Sequence, residues 1–154
     1  MTSIEELTNA SLVSLSIGAT ERRGAIEELA TLLQADDRVT DLMAYVDAVW
    51  AREQETGGTG MESGIAIPHA KSPAVVRPSV AFGRSQAGVD FGAEDGSSAD
   101  LIFLIAAPEG EDDLHVRVLS RLARRLIHEE FRRALRDADS PQAVYDVIRR
   151  EVQL

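Results

Sequence analysis

Cysteine is absent from this chain of 154 residues. Disulfide frameworks, thiolate metal sites and a cysteine nucleophile are therefore excluded on it. Aromatic residues make up only 5%, and lysine occurs once, at Lys71, against fifteen arginines. No apolar run approaches the ~18 residues of a membrane span. The N-terminal MTSIEELTNA also lacks the basic region followed by an apolar one that marks a signal peptide. The expectation is a soluble, cytoplasmic protein. Positive charge is scarce too: 16 basic residues against 26 acidic ones leave a net charge of −10. Such a surface repels nucleic-acid phosphates and anionic lipid, so neither is an expected partner. The deficit lies in residues 1–110, while residues 111–154 balance nine basic against nine acidic groups. The arginine-rich runs there, RLARRL and FRRALR, read as solvated helix faces. No GxxxxGKS/T loop, HExxH helix or GxSxG elbow occurs. Gly57-Gly58-Thr59-Gly60 is thus not a nucleotide P-loop, and NTP chemistry, zinc hydrolysis and acyl transfer have no motif to stand on.

What is present is the composition of a globular chain, 44% hydrophobic and 27% charged. The length suggests one domain over residues 1–154, large enough to bury a core without staples. Residues 3–9 suit a short helix with Ser3 as cap, and Val13 to Ile17 alternate apolar and polar like a half-buried strand. Thr20 is a plausible N-cap for a helix over 21–34 whose inner face holds Ile26, Leu29, Ala30 and Leu33. A second helix over 41–55 has the stripe Leu42, Tyr45, Val46, Val49 and Trp50, with Arg52 beside it and glycines at its end. Strands follow at Ile65–Ile67, at Ser79–Ser85 and at Val89–Phe91, the last two bracketing a turn at Ala87-Gly88. Leu101 to Ala107 is unbroken apolar sequence, as a central strand covered on both faces requires. Helices then span 112–127 and 129–137, and a last one opens with Ser140 as N-cap and Pro141 at its first position. Helices on both sides of a strand block make this an α/β chain, a three-layer α/β/α domain with one mixed sheet.

The chain has three histidines. His69 follows a short strand in Gly64-Ile65-Ala66-Ile67-Pro68-His69-Ala70-Lys71. Pro68 has no amide hydrogen, so the ladder is interrupted there. The imidazole is expected on a strand-end loop among small residues, open to close approach by something large. The plain alternative is a solvated loop histidine. His115 opens a helix and shares a face with Val118, Leu119, Leu122 and Leu126, so it points towards the sheet near the carboxyl end of the central strand. A core-edge histidine satisfied by a backbone carbonyl would look the same. His128, between two helices and beside Glu129 and Glu130, reads as structural or solvated. A zinc site on His69 and His115 lacks a third ligand and the usual close ligand spacing; no metal or other cofactor is expected.

Arg52-Glu53, then Thr59-Gly60, then Gly64-Ile65-Ala66-Ile67-Pro68-His69 resemble the active-site signature of the fructose/mannitol-type enzyme IIA of the bacterial phosphotransferase system. Gly88-Val89-Asp90-Phe91 and Ala99 to Pro108 resemble that family's middle strands, and Leu114-His115 with Leu119, Leu122 and Ala123 its second-histidine helix. The likeness covers residues 10–150 in family order. Gly57-Gly58 ahead of Thr59 departs from the pattern and implies an unusually flexible loop, and Val116 replaces the common leucine after the second histidine.

The resemblance implies a phosphoryl carrier. His69 would take the group from phosphorylated HPr and give it to an enzyme IIB, with the membrane reached only indirectly, through an enzyme IIC. Neutral imidazole is nucleophilic at cytoplasmic pH. Phosphoryl transfer asks mainly for in-line positioning and charge stabilisation. Arg52 supplies a permanently charged fork for phosphate oxygens. His115 can donate a ring hydrogen to them, and the helix start near Asp112 adds partial positive charge. Thr59, with Gly60 beside it, either bonds the phosphoryl group through its hydroxyl or caps the loop. Glu109, Glu111, Asp112 and Asp113 serve the helix dipole or form a docking rim, and Ile65, Ile67 and Pro68 are the expected apolar contact core. A second reading is a regulatory module of the same fold, as in the nitrogen-related branch or a piece of a transcriptional regulator, using His69 phosphorylation as a signal; a third is a metal-dependent hydrolase on His69 and His115.

Overall fold

A computed structural model describes residues 3–110 and 114–154. Four residues, Ile4–Leu7, form α1 behind Ser3, whose side chain makes no cap bond to the helix backbone. Strand β1 is only Val13–Ser14. The alternation to Ile17 still leaves a trace, because Ile17 N donates to Arg84 O at 2.9 Å. Helix α2, Arg22–Ala35, starts behind Glu21 rather than Thr20, and neither supplies a side-chain cap. Instead Glu28, from inside the helix, accepts from the backbone amides of Gly18 and Ala19 at 3.1 Å. Helix α3, Leu42–Thr56, is capped by Asp41, which accepts from Ala44 N, and stops at Gly57 with φ 84°. Only glycine takes that left-handed conformation without strain.

Next come β2 at Gly60–Met61, unforeseen in the sequence, then β3 at Ile65–Ala66 and β4 at His69–Lys71. The long strands β5, Ser79–Val89, and β6, Ala99–Ala107, form the centre. The turn expected at Ala87-Gly88 is a bulge inside β5 instead: the register with β6 shifts between Arg84 and Val89. Gly88 N donates to Ser85 Oγ at 3.0 Å, which closes the irregularity without reversing the chain. Helices α4, Leu114–Leu126, α5, Glu129–Asp137, and α6, Pro141–Glu151, complete the fold. The Ser140 hydroxyl accepts from Ala143 N, with Pro141 at the first position. The expected helix start at 112 and the carboxylates of Glu111, Asp112 and Asp113 lie outside the described residues.

The sheet order is β1-β5-β6-β3-β2, with β4 also paired to β6. It is mixed: β1 runs parallel to β5, β3 and β4 parallel to β6, and β5 antiparallel to β6. Strand β6 shows why its sequence is apolar throughout. Ile102, Leu104 and Ala106 pack into the core under α2 and α3, while Leu101, Phe103 and Ile105 pack into the core under α4, α5 and α6. The three-layer arrangement with a mixed sheet is therefore as expected. Among the described residues no helix is long and apolar enough to cross a membrane.

Candidate functional site

Strands β3 and β4 lie end to end along one edge of β6, with Ile65 opposite Leu101 and His69 opposite Ile105. Pro68 removes a ladder donor, yet its carbonyl still accepts from Ile105 N at 3.0 Å, so pairing resumes at once. His69 consequently opens a strand and does not sit on a loop. It lies two residues from the end of β6, at the carboxyl edge where parallel strands deliver their ligands.

The two ring nitrogens of His69 hold opposite roles. Nδ1 is 2.8 Å from the Ile67 carbonyl oxygen, which can only accept, so Nδ1 carries the hydrogen. Nε2 then carries the lone pair, and Arg52 Nε donates to it at 3.1 Å. Burial pushes the imidazole pKa down, the Ile67 carbonyl opposes this, and the Arg52 charge adds to the lowering. A lowered value keeps the ring neutral, and its nitrogen nucleophilic, to a lower pH than an exposed imidazole near 6.5. An NMR titration is expected to place the His69 midpoint below that value; a midpoint above it would contradict the burial of the ring beside the Arg52 charge. In the unfolded chain the ring protonates first, so folding stability contributed by neutral His69 is present above the unfolded value and is lost as pH falls from it through the lower folded one.

His115 is half-buried and Arg52 exposed, and they share with His69 and Lys71 a cavity of about 230 Å³, also lined by Ala48, Ala51 and Glu55. On α4, Val118, Leu122 and Leu126 are buried, which confirms the face that carries His115. His128 is exposed at the N-cap of α5. Among the described residues no group of three or more histidines and carboxylates could hold a metal ion.

Thr59 and Gly60 do not line that cavity. The Thr59 hydroxyl and amide both donate to Glu53, at 2.5 and 3.2 Å, so Thr59 anchors its loop. Glu53 is 1% exposed and stands 3.5 Å from Arg22. Burial pushes its carboxyl pKa up, against the two Thr59 bonds and the Arg22 charge. The anchoring reaches the histidine through the backbone: Ile67 N donates to Thr59 O at 3.2 Å, and the Ile67 carbonyl receives the ring hydrogen of His69. Glu53 is part of the RE pair noted in the sequence; the expected stripe stops at Trp50, yet Glu53 continues the Tyr45, Val46 and Val49 face four residues beyond Val49. Glu53→Gln is expected to cost about 1.5–3 kcal/mol, the worth of hydrogen bonds to a buried charge, read as a lower denaturation midpoint. An unchanged midpoint would mean that the Glu53–Thr59 contact is dispensable.

The loop at Gly57-Gly58 is interlocked rather than unusually flexible. Gly60 N donates to Phe91 O at 2.9 Å, and Arg22 bonds the Asp90 carbonyl. A Cβ at Gly58 would meet Phe91 O at 2.1 Å, and one at Gly60 would meet Ala93 N at 2.8 Å. Gly58 and Gly60 allow two backbones to approach, because a Cβ at either would strike the opposing chain. Ile65, Ile67 and Pro68 are buried, so they cannot be the contact core expected of them. The exposed apolar residue beside the site is Val116, at 51%.

Comparison with known proteins bears on this arrangement. Residues 6–151 match the family described as phosphoenolpyruvate-dependent sugar phosphotransferase system, EIIA 2. The chain is 42% identical over 153 residues to the PTS system fructose-specific EIIA component of Haloferax volcanii, covering 99% of both chains. It is also 42% identical over 145 residues to the fructose-specific EIIABC component of Bacillus subtilis, covering 94% of this chain but spanning only 23% of that protein. Nitrogen regulatory protein IIA-Ntr from Neisseria meningitidis superposes with a TM-score of 0.86 at 30% identity, over 94% of this chain and 98% of that one. Enzyme IIAMtl from Escherichia coli, solved in complex with phosphorylated enzyme IIBMtl, gives 0.76 at 27% identity, over 92% and 96%.

Proposed function

We propose, from the premise that this chain belongs to the EIIA 2 family of the phosphoenolpyruvate-dependent sugar phosphotransferase system, that it carries a phosphoryl group on Nε2 of His69. The donor is phosphorylated HPr and the acceptor an enzyme IIB that serves uptake of a fructose-like sugar. The observation that carries this reading is the split of His69: Nδ1 holds its hydrogen on Ile67 O, and the Nε2 lone pair faces the shared cavity beside Arg52.

In the transfer, the Nε2 lone pair forms the new N–P bond as the P–N bond to the donor histidine breaks and its electron pair returns to that nitrogen. No proton leaves His69. The ring gains positive charge, which the Nδ1–H bond to the Ile67 carbonyl stabilises. Arg52 exchanges the lone pair for phosphoryl oxygens, which its fork can bind at two points. His115, which lines the same cavity, donates to the same oxygens and helps the group depart. His115→Ala is accordingly expected to accept phosphate but to pass it to IIB about 10–100-fold more slowly, as for loss of one charge-assisted bond. A wild-type transfer rate would remove His115 from this role.

The closer superposition on a nitrogen regulatory IIA than on the mannitol IIA favours a second reading, in which phosphorylated His69 is itself the signal. Reconstitution with phosphoenolpyruvate, enzyme I, HPr and a fructose-type IIB separates the two. Passage of the group to IIB supports the transport carrier. Loading that stays on the chain supports the regulatory module, and no loading from an active donor overturns both.

A further inference from the structure

Several arginines of this chain are tied into the fold. Arg38 bonds the carbonyls of Glu6 and Leu7, Arg84 bonds three carbonyls at the end of α5, and Arg136 pairs with Asp100. A different group converges on solvent. Arg121, Arg124 and Arg125 of α4 and Arg150 of α6, with Glu151 and Gln153, line one concavity of about 330 Å³. Its single carboxylate, Glu151, bonds Arg125 at 2.8 Å and stands 3.6 Å from Arg150. Arg125 Nε is buried with no hydrogen-bond partner among the described residues. Four guanidinium groups against one carboxylate make this a strongly cationic hollow in a chain of net charge −10.

Helix dipoles account for part of the pattern, since Arg124, Arg125 and Arg150 lie in the last turns of their helices. They do not account for Arg121, one turn earlier, which repels Arg125 at the i,i+4 spacing. Nor do they account for two helices aiming these groups into the same hollow. We propose that this concavity binds a compact anion bearing two or more phosphoryl groups. Guanidinium forks match phosphoryl oxygens in pairs, and a hollow of this volume is in the range of small-ligand sites. An extended polyanion is disfavoured because the remaining surface is acidic. The site shares no lining residue with the His69 cavity. Arg124 lies nine residues beyond His115 on α4, about 14 Å along the helix axis. The proposal stands without the carrier reading.

Titration calorimetry of the full chain with inorganic pyrophosphate tests it, with amide NMR shifts locating the ligand. The expected result is saturable one-to-one binding that moves amides of α4 and α6, with orthophosphate at least about tenfold weaker. The double variant Arg124→Gln, Arg150→Gln is expected to weaken binding about 100-fold, roughly tenfold per fork, whereas Arg52→Gln leaves it unchanged. Absent or unsaturable binding overturns the proposal. So does binding that survives the double variant or disappears with Arg52→Gln. An acidic peptide bound as tightly as pyrophosphate would also overturn it, by making the hollow a protein-docking surface.

Discussion

His69→Gln is expected to take up no phosphoryl group at all from phosphoenolpyruvate, enzyme I and HPr. Glutamine keeps a polar, planar end of similar reach, so it can still fill the space between the Ile67 carbonyl and Arg52 that the ring occupies. It has no nitrogen lone pair available for attack, because the amide pair is delocalised. Loss of labelling with an unchanged melting temperature would therefore isolate the chemistry from the fold. The ring is half-buried at the head of a short strand and outside both hydrophobic cores, so the substitution removes little packing. Undiminished labelling of His69→Gln would refute the site assignment, and His115, on the same cavity, would become the next residue to test.

Arg52→Gln should leave a protein that still accepts the group, but about 10²–10³-fold more slowly, the usual result of removing one preorganised donor from a developing anion. The fork also acts before the phosphoryl group arrives. Its charge beside Nε2 helps to hold the His69 pKa down, behind the larger contribution of burial. The variant is thus expected to show a higher His69 titration midpoint as well as a slower transfer. Arg52→Lys restores the charge without the planar fork and should recover the titration midpoint better than the rate. An Arg52→Gln rate equal to wild type would mean that the guanidinium merely rests on the ring.

How far these features could be read in the sequence depended on whether their causes were local. Gly57 and the Ser140-Pro141 pair mark helix ends through local backbone preferences and capping, and the structure places those ends as expected. The apolar run of β6 identified a strand covered on both faces for the same reason. His69, His115 and Arg52 come together in one cavity as the family resemblance implied. What escaped were features made by distant partners. The continued pairing past Pro68 depends on Ile105, thirty-seven residues on. The partners that satisfy the buried carboxylate of Glu53 are Thr59 and Arg22, and the interlock at Gly58 and Gly60 depends on the carbonyl of Phe91. Isoleucines 65 and 67 were expected to form an apolar contact core because their strand was judged by its end. Pairing with β6 puts Ile65 in the sheet, and both side chains pack into the core under α4 to α6.

The central claim is that the nitrogen facing Arg52 is the one that accepts the phosphoryl group, while the nitrogen on the Ile67 carbonyl keeps its hydrogen throughout. Nitrogen-15 NMR of the loaded protein, with the histidine rings labelled, tests it most directly. The expected spectrum shows phosphorus coupling at Nε2 of His69 and a retained hydrogen at Nδ1. Coupling at Nδ1, or on the ring of His115, would contradict the account.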